Sequence, residues 1–114
     1  MVERELPRDH DVVFDLGPGA AEIVDVEASW IRAGSAAEAQ LTTRWNFAKG
    51  AAPERLPARV RLADGAWEVE VVVGRAGKET TRWSGRVNLE GTAWWKRDNL
   101  KTGPVILPVR ESLR

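Results

Sequence analysis

Hydrophobic and polar residues alternate with period 2 along most of this chain, and the strongest such alternation brackets Asp64 and Gly65. Before them Val60 and Leu62 alternate with Arg59 and Arg61; after them Trp67, Val69 and Val71 alternate with Glu68 and Glu70. Successive side chains of a strand point to opposite faces, so each run has one apolar and one charged face. Asp-Gly between two such runs predicts a β-hairpin with a type I′ turn, which needs positive φ at both central residues. With Ala63 and Ala66 flanking the turn, Leu62 is set against Trp67 and Val60 against Val69. On the other face Arg61 meets Glu68 and Arg59 meets Glu70. A three-residue loop would set Arg61 against Trp67, so parity favours the even register.

The same period recurs on either side. Val12, Phe14 and Leu16 share a face of a first short strand, ended by Gly17-Pro18-Gly19. A longer strand follows, with Val24, Val26, Ala28 and Trp30 on one face and Asp25, Glu27 and Ser29 on the other, and Ala33-Gly34-Ser35 turns it. In a third strand Ala39, Leu41, Thr43, Trp45 and Phe47 oppose Glu38, Gln40, Thr42, Arg44 and Asn46. Ala36 to Ala39 has helix propensity, but the alternation after it outweighs that signal. Lys49 to Pro57 reads as a loop. Beyond the central pair of strands and a turn at Gly74 to Gly77, Thr81, Trp83, Gly85, Val87 and Leu89 alternate with Arg82, Ser84, Arg86 and Asn88. Glu90-Gly91 turns into a strand over Thr92 to Lys96, and a polar, partly basic loop runs from Arg97 to Gly103. Val105-Ile106-Leu107 lies between Pro104 and Pro108; proline cannot donate to a ladder, so this strand belongs at a sheet edge or end.

Seven to eight short strands, turn signals about every 8–12 residues and no helical segment predict an all-β domain. We expect a single antiparallel β-sandwich over residues 11–114, preceded by a polar lead-in over 1–10. Trp30, Trp45, Trp67 and Trp83 fall on the apolar faces of four strands and read as layers of one core shared by two sheets. The alternative is a small β-barrel, a ligand carrier or enzyme, with the tryptophans lining a cavity.

Leu62 through Val71, with its Asp-Gly turn and Trp67-x-Val69-x-Val71, followed by a strand closing on Val87-Asn88-Leu89-Glu90-Gly91, resembles a pattern of transthyretin-like and carboxypeptidase-regulatory-like β-sandwich modules. The resemblance covers about residues 58–91 and transfers no functional residue. It implies a seven-stranded, immunoglobulin-like sandwich, usually non-catalytic and often outside the cytoplasm.

At 114 residues the chain can bury one core without staples. Its 17 basic and 17 acidic side chains cancel, so no global field draws it to nucleic acid or an anionic membrane. The absence of cysteine removes disulfides, thiolate metal sites and cysteine nucleophiles. No stretch approaches the roughly 18 apolar residues of a membrane helix. The charged N-terminus lacks a signal-peptide core: the protein is cytosolic or has lost a leader, and the resemblance tilts the expectation to an extracytoplasmic site.

Candidate chemistry is sparse. His10 stands between Asp9 and Asp11, a combination able to hold a divalent metal. Neighbours on a strand diverge and there is no second histidine, so a solvated strand entry accounts for the triplet and no metal or cofactor is expected. Ser29, Ser35, Ser84 and Ser112 sit in no nucleophile motif, and Gly17-Pro18-Gly19 has no helix behind it to cradle phosphate. Asp25, Glu27, Glu68 and Glu70 could supply an acid–base pair, but serve more simply as charge complements to nearby arginines. No catalytic residue is assigned.

Trp94-Trp95 is the most informative local feature. Adjacent strand residues face opposite ways, so without a bulge one ring reaches the surface or the rim. Beside Lys96, Arg97, Asn99 and Lys101 it would form an aromatic anchor rimmed by polar groups, suited to a protein, peptide or carbohydrate partner. Packing over the sandwich end is the structural alternative. Arg82 and Arg86 could join Lys96 and Arg97 on one basic face, yet the acids on neighbouring strands make an ordinary mixed surface, and nucleic acid is not expected. The expectation is a non-catalytic binding or interaction module, monomeric or dimerising through an edge strand.

Overall fold

The computed structural model describes residues 7–34, 38–89 and 105–113. Seven strands follow in order: β1 (Arg8–Asp15), β2 (Ile23–Arg32), β3 (Leu41–Asn46), β4 (Arg55–Leu62), β5 (Gly65–Arg75), β6 (Thr81–Leu89) and β7 (Val105–Leu107). A 3-10 turn over Pro18–Glu22 joins β1 to β2, and another over Val109–Ser112 follows β7. The strands form a three-stranded sheet, β4-β1-β7, and a four-stranded sheet, β3-β2-β5-β6. The inward residues of both share one core, giving an all-β sandwich.

The alternation predicts the faces well. Val26, Ala28 and Trp30 on β2, Trp67, Val69, Val71 and Val73 on β5, and Val87 and Leu89 on β6 are buried. Trp30 and Trp67 are 0% exposed. Trp45 and Trp83 are half-buried against the same core, and Trp45 packs edge-on to Phe14 of the opposite sheet at 5.5 Å. On β2 the ladder to β5 shifts between Ile23 and Asp25. This bulge makes Ile23, and not Val24, the buried residue at the start of the strand.

The central hairpin is not formed. β4 pairs with β1, and β5 lies between β2 and β6 in the other sheet. The chain therefore crosses from sheet to sheet at Ala63 and Asp64. Gly65 has φ of 134°, and no described non-glycine residue has positive φ, so Asp64 cannot take its part in a type I′ turn. Parity could not separate the two outcomes. Leu62 and Trp67 both face the core whether they lie side by side in one sheet or in opposite sheets. The charges also find other partners. Arg59 and Arg61 pair with Asp11 (3.1 Å) and Asp9 (3.3 Å) on β1, and Glu70 takes Arg82 on β6 (3.5 Å). A double-mutant cycle should accordingly find a small coupling for Arg59 with Asp11 and none for Arg59 with Glu70; the reverse result would restore the hairpin register.

The sandwich is also not wholly antiparallel. β7 runs parallel to β1, with Val12, Val13 and Phe14 beside Val105, Ile106 and Leu107. A parallel neighbour needs a long connection and not a tight turn, and β7 is reached through residues 90–104. It lies at a sheet edge, as its flanking prolines require. Pro57, expected in a loop, sits within β4, the other edge strand of that sheet, where a missing donor is tolerated. The strand expected over Thr92 to Lys96 lies outside the described residues.

Candidate functional site

Trp94, Trp95, Lys96, Arg97, Asn99 and Lys101 all lie outside the described residues. Their segment joins Leu89, at the end of β6, to Val105, at the start of β7, so its two ends belong to the outer strands of different sheets. Ile106, next to that junction, is 47% exposed and is the exposed large hydrophobic side chain among the described residues.

The other proposed basic residues are placed. Arg82 and Arg86 lie on the outer face of β6, opposite Val72 and Glu68 of β5. Glu27 stands opposite Arg44, and Ser29 opposite Thr42, with their hydroxyls 3.2 Å apart. The acids of the two central strands are thus flanked by arginines on the outer strands, the mixed surface the sequence suggests. Ile31, Glu68, Glu70, Ser84 and Arg86 line a shallow depression of about 400 Å³ on this face. Farther along the same pair of strands, the Asp25 carboxylate lies across Gly74, where a Cβ would come within 2.7 Å of its Oδ2.

His10 departs from the expected solvated strand entry. It lies within β1, 7% exposed. Its Nε2–H donates to the Leu62 carbonyl at 3.0 Å, and the same nitrogen is 3.3 Å from Asp64 Oδ1. Asp9 and Asp11 alternate away from it and meet arginines of β4, so the three side chains do not converge on one point. The sheet crossing is secured residue by residue. His10 holds Leu62, the Trp67 indole N–H donates to the Ala63 carbonyl at 2.9 Å, and the Arg32 guanidinium lies 5.1 Å from the Trp67 ring centroid and packs beside Gly65. These are structural roles.

Sequence reasoning missed Asp15 and Arg110. Asp15 is 7% exposed; its Oδ2 accepts from Arg110 Nε at 3.0 Å and Nη2 at 2.7 Å, and its Oδ1 from the Gly17 N–H at 3.2 Å. The Asp15 hydrogen bond holds the Arg110 guanidinium above its ordinary titration range. Nothing local signals a pair separated by 95 positions. Of the serines, Ser112 donates to the Val109 carbonyl within its own turn, Ser84 lines the depression, and Ser35 lies outside the described residues. No described helix is long and apolar enough to cross a membrane. Comparison with protein-family models, with curated proteins and with solved structures gave no match to this chain.

Proposed function

We propose that this chain is a non-catalytic binding or protein-interaction module, an immunoglobulin-like or transthyretin-like sandwich at work outside the cytoplasm. Trp94 and Trp95, rimmed by Lys96, Arg97, Asn99 and Lys101, contact a protein, peptide or carbohydrate partner. The observation that carries this reading is Ile106: a large apolar side chain stands in solvent on the edge strand that the tryptophan segment runs into. Contiguous exposed apolar groups with polar rims mark interaction surfaces, and Ile106 together with a displayed ring of Trp94 or Trp95 would make such a patch. The complete burial of Trp30 and Trp67 favours a packed core over a tryptophan-lined cavity.

Iodide quenching of tryptophan emission tests the proposal. The expected result is a red-shifted, quenchable component that disappears in Trp94→Phe or Trp95→Phe while the thermal midpoint stays put. Half-buried Trp45 and Trp83 supply a background that neither substitution changes. Emission unaltered by both substitutions would remove the displayed ring and the proposal with it.

A further inference from the structure

The segment 105–113 has the character of a bound peptide. Along it, Leu107 is 3% and Val109 0% exposed, Ile106 points to solvent, and Arg110 closes on the buried Asp15 carboxylate. Its backbone adds to the edge of β1 as a parallel strand. The Arg110 stem crosses Gly17, where a Cβ would lie 3.0 Å from Arg110 Cβ. Glu111 accepts from the indole N–H of Trp83 at 3.5 Å. The receiving surface consists of the β1 edge, Asp15, Gly17 and Trp83, all contributed by residues 1–89. Strand addition supplies backbone bonds, alternate side chains supply specificity, and a forked guanidinium on a carboxylate fixes the register.

We infer that this acceptor groove is an exchange site, which takes residues 105–113 from the same chain or from a second copy, to give a strand-exchanged dimer. The groove reads the sequence Val-Ile-Leu-Pro-Val-Arg and not its connection. Residues 90–104 separate the segment from Leu89, the last residue of β6, and the parallel direction of β7 dispenses with a tight turn to β1. An exchanged pair refills both grooves with identical contacts, which makes exchange a low-cost route to a dimer. The tethered segment competes at an effective concentration on the order of millimolar, so the dimer grows with protein concentration toward that range. This inference does not depend on the Trp94–Trp95 surface.

The chain has no cysteine, which permits a clean cross-linking test. Val13 and Ile106 are register neighbours on β1 and β7, and both reach the outer surface. Two full-length variants with different tags, Val13→Cys and Ile106→Cys, are mixed at high concentration, equilibrated below the unfolding transition and oxidised. With the two chains in equal amounts, exchange predicts the mixed disulfide dimer well above twice the amount of each symmetric dimer, the ratio that random pairing gives. Adding Arg110→Ala to the Ile106→Cys chain should lower that excess several-fold. The Val13→Cys/Ile106→Cys chain, oxidised when dilute, should close within itself. A mixed dimer at no more than about twice the amount of each symmetric one, or one indifferent to Arg110→Ala, would overturn the inference.

Discussion

Trp67→Ala is expected to cost about 3–5 kcal/mol, the range for removing a large aromatic from a closed core. Three separate losses converge there. The side chain is fully buried, its indole N–H satisfies the Ala63 carbonyl at the sheet crossing, and its ring carries the Arg32 guanidinium. Trp67→Phe keeps much of the apolar contact but removes that part-buried hydrogen bond, at about 0.5–1.5 kcal/mol for the bond alone. Trp30→Phe makes the informative contrast, because the Trp30 indole N–H is buried with no acceptor among the described residues. Replacing it surrenders volume but no hydrogen bond, so it should be the milder of the two. Urea titration reads all three: the midpoint falls while the slope stays constant if the native state only loses stability. A Trp67→Ala midpoint within the error of wild type would mean that the crossing is held by something else.

Phe14→Ala should cost about as much, again roughly 3–5 kcal/mol, for a different reason. Phe14 is fully buried on the middle strand of the smaller sheet, in register with Leu56 of β4 and Leu107 of β7, and it meets Trp45 of the opposite sheet edge to face. Its loss opens a void that touches both neighbours within the sheet and one across it. Native-state amide exchange should show β7 losing more protection than β5, since β7 has three paired residues and β5 is held on both sides. Equal loss in both strands would mean that the short β7 ladder is held as firmly as the doubly paired β5.

The faces of the strands were readable from sequence, and their partners were not. Thr81–Leu89 forms a strand over its whole predicted length, and Trp30 and Trp67 occupy the predicted core. Both follow from period 2, which reports where a side chain points. Sheet membership is a different quantity. The Arg59 and Arg61 side chains would accept Glu70 and Glu68 as readily as Asp11 and Asp9, so charge offered two consistent registers and the nearer one was the wrong choice. His10 misled for a related reason. A polar residue in a charged context reads as solvated, but its inward parity on β1 brings it to a carbonyl 52 positions away. The Asp15–Arg110 contact joins a strand end to a turn near the other end of the sequence, and no periodicity links them. Trp94 and Trp95 remain a sequence-based choice.

The parallel pairing of β1 with β7 also sets an order of events during synthesis. Six of the seven described strands are complete once residue 89 has been made, yet of the two described neighbours of β1, in the middle of its sheet, β4 alone is then present. At about 5–20 residues per second of translation, Val105 to Val109 follow after a delay on the order of a second or more. For that interval the nascent chain carries an open strand edge beside Phe14, with the Asp15 carboxylate lacking its guanidinium. A trailing chain on the same message still holds this groove open when a leading chain has completed its own residues 105–113, so the first opportunity for one copy to fill the groove of another arises while the trailing chain is still being made.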